Sequence, residues 1–168
     1  MQLIRKYKYN VYITIMSTIK NPDILVLTCI DFRTHDVIHS HMATLGYAGK
    51  YDYCSVVGSG LSLYYCGANV NDYLFLNSCK LTILSNIKFT QSIHGTKELW
   101  IFTHEDCRGC KRFDADTISS ESDEKSYHTK STSAIRCMMR EINPDLIIKT
   151  FYIHGTVGTT GFPIVSII

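Results

Sequence analysis

A chain of 168 residues with a formal net charge of +2 is one domain by size, long enough to bury a core without staples. Near-neutrality, with neither a basic patch nor an acidic tail, argues against nucleic acid as a partner. Seven cysteines, an odd number without regular spacing, argue against a secreted disulfide framework and point to a reducing compartment, the cytoplasm, where thiols stay free to bind metal.

At the N-terminus, Arg5, Lys6 and Lys8 precede the apolar run Val11 to Ile15, an imitation of a signal peptide. The run is short, is broken by Tyr12 and Thr14, lacks a small-residue cleavage site, and falls far below the roughly 20 apolar residues of a membrane span. No membrane segment is expected. Met16 is an alternative start. Residues 1–20 are therefore expected to be an extension or an arm on a partner subunit, and residues 21–168 a single domain.

Ile24 to Leu27, behind Pro22, is a short continuous apolar run that reads as a strand buried on both faces. Cys29, Asp31 and Arg33 follow in alternation, sharing one side if the strand persists. Thr34-His35-Asp36 can cap a helix through Met42, ended by Gly46 to Gly49. His35 and His39, four apart, could clamp a metal, but a solvated cluster is the plainer reading. Tyr51 to Val57 is the next strand. It ends in Gly58-Ser59-Gly60, where backbone can pass close to a ligand or to another element; no third glycine makes it a dinucleotide fingerprint.

Leu61 to Phe89 is helical in pattern, with a break expected near Asn77-Ser78 and a second helix to Ile93, stopped by His94-Gly95-Thr96. Glu98 to Thr103 is a strand, and His104-Glu105-Asp106-Cys107 follows at its end. Asp114 to Ser126, with five acidic residues among five Ser and Thr, reads as an exposed loop or poor helix. Ala134 to Ile142 is a helix ended by Asn143-Pro144. Leu146 to Ile153 is the last core strand, before the Gly155 to Gly158 turn. Strands alternating with helices predict an α/β fold, a central, mostly parallel sheet flanked by helices. Ligands then bind beyond the carboxyl ends of the strands.

Two of those ends carry chemistry. Cys29, His104 and Cys107 form a set of two sulfurs and one nitrogen, the donor type that holds a catalytic zinc with its fourth position open. Each has a bland reading: a buried small hydrophobe for Cys29, a structural ion pair for Asp31 with Arg33, a loop histidine for His104. Their joint occurrence favours zinc.

Cys-x-Asp-x-Arg at one strand end and His-x-x-Cys at a later one resemble the beta-class carbonic anhydrases, from Asp23 to Cys107, with a weaker echo in Phe151 to Val157. The resemblance implies that family's sheet and one zinc per chain on Cys29, His104 and Cys107. It further implies a bidentate Arg33–Asp31 pair, with Asp31 either orienting the nucleophile or swinging onto zinc as a fourth ligand. The implied activity is reversible hydration of carbon dioxide to bicarbonate, with carbonyl sulfide an alternative substrate, in a homodimer or larger even assembly. The chain departs from the family's pattern twice. Val57-Gly58-Ser59-Gly60 replaces an Arg-Asn-Ala-Gly-Asn type loop, and Arg108-Gly109-Cys110 replaces the small residues after the second cysteine, so Arg108 could bind an anion or obstruct the pocket.

Two other classes remain open. One is a non-catalytic protein stabilised by the same zinc. The other is a dithiol redox protein built on Cys107 and Cys110, although that motif comes late, whereas a thioredoxin-like core needs it near the first strand.

Overall fold

The computed structural model describes residues 22–64, 70–113, 118–155 and 164–168. The expected N-terminal arm lies outside them. Strands β1 (Ile24–Cys29), β2 (Tyr51–Val56), β3 (Glu98–His104), β4 (Ile147–His154) and β5 (Ile164–Ile167) form one sheet in the order β2-β1-β3-β4-β5. The first four are parallel and β5 runs antiparallel to β4. Helices α1 (Phe32–Thr44), α2 (Leu61–Tyr64), α3 (Val70–His94), α4 (Arg108–Phe113) and α5 (Glu121–Ile142) make the connections. The α/β fold with a mostly parallel, helix-flanked sheet is the one expected from the sequence.

The continuous apolar run of β1 explains its central place. Leu25 and Leu27 pack on one face with Leu99 and Ile101 of β3, Ile83 and Ile87 of α3, and Ile135 and Met139 of α5. Ile24 and Val26 pack on the other with Trp100, Phe102, and Ile38 and Met42 of α1. Each of these four β1 side chains is at most 1 % exposed, and full burial of such a side chain stabilises by about 1.5–3 kcal/mol. Only a strand with helices on both sides can bury successive residues this way.

The chain leaves β1 for β2 on one side and then returns past β1 to β3 on the other. The junction of β1 and β3 is therefore the topological switch point, where ligand crevices open in parallel sheets. The ladder shows the opening directly: β1 pairs with β3 only from Ile24–Glu98 to Leu27–Ile101, while β1 stays paired with β2 to Cys29–Val56 and β3 with β4 to His104–Ile153. Cys29 and His104 stand on the two lips of that gap.

Four local expectations are corrected. β1 ends at Cys29, and Asp31 is the N-cap of α1, accepting from the Arg33 backbone N–H; the cap thus precedes Thr34, and Asp31 and Arg33 meet through a helix start rather than along a strand. The helix α3 runs unbroken through Asn77 and Ser78, and Ser78 Oγ donates to the Leu74 carbonyl of the same helix at 3.0 Å instead of capping a break. The helix expected at Ala134 begins at Glu121, capped by Ser120, whose hydroxyl accepts from Asp123 N–H. Glu124 within that acidic stretch is buried, at 2 % exposure. No helix among the described residues is long and apolar enough to cross a membrane.

Candidate metal centre

Cys29 closes β1, His104 closes β3, and Cys107 stands three residues later at the foot of α4. A donor atom from each lies within 4.8 Å of the others, and all three side chains are buried. The two sulfurs are 4.0 Å apart; two thiolates about 2.3 Å from a tetrahedral ion would stand about 3.8 Å apart. His104 Nδ1 donates to the Glu105 carbonyl at 2.7 Å, so the proton sits there and Nε2 keeps its lone pair. That Nε2 is buried without a hydrogen-bond partner, a costly state that a cation would relieve. The residues present thus fit a zinc ion.

Electrostatics point the same way. The Cys107 S–H holds the Cys29 thiolate down to about 4 against the cost of burial. The Cys29 thiolate and burial in turn push Cys107 well above its ordinary value. The pair shares one negative charge until a cation arrives to favour the second.

Asp31 is not in the donor group. Its carboxylate accepts Arg33 Nε at 2.9 Å and Nη2 at 2.5 Å, and these bonds bring its pKa down to about 2. Arg33 also donates Nη1 to Asp106 Oδ2 and Nη2 to the Asp106 carbonyl, both at 3.2 Å. One guanidinium therefore ties the end of β1 to the turn after β3. A cleft of about 480 Å³ opens over Cys29, walled by Ile30, Phe32, Val57, Arg108 and the Asp31–Arg33 pair.

The sequence reading missed the residue that sets the Cys107 turn. Glu124 of α5 accepts the backbone N–H of Asp106 at 2.9 Å and of Cys107 at 2.7 Å, one on each oxygen. Asp106 has φ of 51°, a left-handed conformation unusual for a non-glycine residue, and the Glu124 bonds help to hold it. A signal was available: the buried positions Glu124, His128, Ser131, Ile135 and Met139 continue the helical stripe of Ile135 and Met139 backward at three- and four-residue steps.

The glycine loop serves another element. A Cβ on Gly109 would stand 2.9 Å from Val57 Cγ1 and 3.0 Å from Gly58 N, so the start of α4 lies directly on the loop after β2. His35 and His39 are not brought together as a donor group: His35 Nε2 reaches the Cys29 carbonyl at 3.4 Å, and His39 Nδ1 bonds the Tyr51 hydroxyl. Cys107 and Cys110 are each 1 % exposed, whereas dithiol exchange needs an accessible thiol of lowered pKa; the redox reading does not fit this geometry.

No family model matches the chain. An uncharacterized protein of Rickettsia bellii is 28 % identical over 138 residues, covering 81 % of this chain and 79 % of its own length. One of Rickettsia conorii is 25 % identical over 138 residues, covering 81 % and 69 %. Among solved structures, the β-carbonic anhydrase CafA of Aspergillus fumigatus superposes with a TM-score of 0.53 at 12 % identity, over 98 % of this chain and 88 % of that one. A tetrameric β-carbonic anhydrase of Sordaria macrospora superposes with a TM-score of 0.52 at 11 % identity, over 96 % of this chain and 91 % of that one. The chain has the fold of the β-carbonic anhydrases.

Proposed function

We propose that this chain is a zinc-dependent lyase that hydrates carbon dioxide reversibly to bicarbonate, with zinc held by Cys29, His104 and Cys107. One observation carries the reading: two thiols and an imidazole converge at the switch-point crevice while Asp31, the fourth-ligand candidate from the sequence, is gripped by Arg33 outside the donor group. A position toward the cleft is thereby left for a small molecule. Zinc so bound supplies a water-derived nucleophile at neutral pH, the pKa of a bound water falling to about 7.

The chain's own groups do the rest. Asp31, kept ionised by Arg33, can only accept, so it takes the hydrogen bond of the nucleophile and aims the remaining lone pair at the substrate. Arg33 fixes Asp31 in a bidentate fork, an arrangement lysine cannot reproduce. Ile30, Phe32 and Val57 give the cleft apolar walls suited to carbon dioxide, and Arg108 at the same cleft offers a cation to the anionic product. Carbonyl sulfide would meet the same groups.

The exposed apolar residues of α3, Leu74, Leu81, Phe89 and Ile93, each more than half exposed, support a homodimer or larger even assembly. None of the described cysteines is in a disulfide, which suits a reducing, cytoplasmic location.

Stopped-flow hydration of carbon dioxide by zinc-loaded protein across pH tests the proposal. Catalysis should rise with pH, and Asp31→Ala should lower it about 10- to 100-fold with zinc retained. A loaded protein no faster than free zinc at any pH would leave the crevice a structural metal site.

A further inference from the structure

Behind the crevice lies a second set of donors that the proposed reaction does not use. We propose that Cys110 of α4 and Glu124 and His128 of α5 form a separate metal site, taking zinc or a similar borderline divalent cation. One donor atom from each lies within 4.8 Å of the other two, and all three side chains are buried.

His128 is the strongest sign. It is 1 % exposed, and neither ring nitrogen has a partner at normal hydrogen-bond geometry; the nearby His104 backbone would engage one of them and leave the other unmet. A neutral imidazole always carries one ring nitrogen as a lone-pair acceptor, and here that lone pair has nothing to meet. Glu124 stands one helical turn earlier on the same face, and the two still make no direct bond. The space between them suits a shared ion better than a shared proton.

The other donors are prepared for that role. Each Glu124 oxygen accepts one backbone N–H, from Asp106 and from Cys107, which fixes the carboxylate while leaving lone pairs unused. Cys110 packs with Cys29, Leu61 and Cys107 in a buried cluster, and sulfur is a preferred donor for zinc. Thiolate plus carboxylate would balance a divalent ion. The nearby ammonium of Lys111 is engaged with Asp106 at 2.6 Å. Sulfur, oxygen and nitrogen together suit zinc and its neighbours rather than calcium or magnesium.

A cleft of about 500 Å³ reaches Glu124 and is walled also by Glu105, Asp106 and Glu121, acidic groups that draw cations inward. An ion there would pin α4 to α5 and, through Glu124, brace the turn that carries Cys107.

The test is titration of the reduced, metal-free, full-length protein with zinc alone, and separately with cobalt(II), read by metal content and by thiolate-to-cobalt absorption. Wild type should bind about two equivalents, and Cys110→Ala and His128→Asn about one each, with far-UV circular dichroism unchanged. The equivalent left in those variants should show the stronger, two-thiolate absorption, and that left in Cys29→Ser the weaker, one-thiolate absorption. Saturation of wild type at about one equivalent, with none left in Cys29→Ser, overturns the second site. So does a second equivalent that survives both Cys110→Ala and His128→Asn, since it then binds elsewhere. Loss of all metal in Cys110→Ala with one equivalent kept in Cys29→Ser would instead overturn the crevice site and leave this one standing.

Discussion

The same two strands, β1 and β3, behave oppositely along their length. From Ile24 and Glu98 to Leu27 and Ile101 they are one hydrogen-bonded ladder, lined on both faces by apolar side chains. Beyond that point they no longer pair with each other, and they carry a thiol, an imidazole and, after one turn, a second thiol. Both halves are buried, but the lower is joined by the β1–β3 ladder and the upper by directed side-chain bonds: Arg33 across the gap to Asp106, and Glu124 under the Cys107 turn. A parallel sheet thereby supplies rigidity and an opening from the same pair of strands, because the chain reverses direction across β1.

Substitutions in the two halves should separate these roles. The largest effects come from the donors and from the ladder. Cys29→Ser or His104→Ala should abolish zinc binding at the crevice and reduce carbon dioxide hydration to the buffer rate, while leaving the far-UV spectrum intact. Leu27→Ala, which removes a side chain with 0 % exposure, should cost about 2–5 kcal/mol in urea unfolding, while the folded fraction still binds zinc. A ligand variant that unfolds the domain, or a Leu27 variant that folds but loses zinc, would break the division.

Glu124→Gln comes next. One of the two buried N–H groups loses its acceptor, at a cost of about 1–3 kcal/mol, and zinc affinity at the crevice should fall about 10- to 100-fold as the Cys107 turn loosens, measured by competition with a chelator. Gly109→Ala forces a methyl group against Val57 and the Gly58 backbone and should cost about 1–3 kcal/mol, visible as a lower thermal midpoint.

The smallest effect belongs to the far end of β3. Burial opposes the charge on Glu98, but Lys149 at 2.7 Å and the Trp100 indole N–H at 2.6 Å outweigh it and hold its pKa below the ordinary carboxylate value. A depressed carboxylate contributes stability that is complete above the unfolded value and is lost as pH falls through the folded one. Lys149→Met should reduce that acid-side loss, in urea unfolding at successive pH values, by about 1 kcal/mol or less.

Much of this was legible in the sequence. The unbroken apolar run of β1 announced a central parallel strand, and the thiol and imidazole positions at strand ends announced where donors would gather. Three things were not legible, for physical reasons. Asp31 and Arg33 alternate in sequence, but the helix cap, a local hydrogen-bond preference of Asp, overrode the strand. Glu124 was hidden by composition, because an acidic, hydroxyl-rich stretch reads as solvated unless its phase on the helix is followed back from Ile135 and Met139. The glycines after β2 could have faced a ligand or an element. Only the packing of Gly109 shows that they face an element.

The central claim is that the crevice holds a zinc ion on three protein donors with one position left over. Zinc-edge X-ray absorption on Cys110→Ala protein, loaded with about one equivalent, tests it most directly. The account predicts two sulfurs at about 2.3 Å and two light atoms at about 2.0–2.1 Å, one of them an imidazole nitrogen, with the second replaced when a small anion such as azide is added. A shell with any other number of sulfurs, or one that azide leaves untouched, would contradict it.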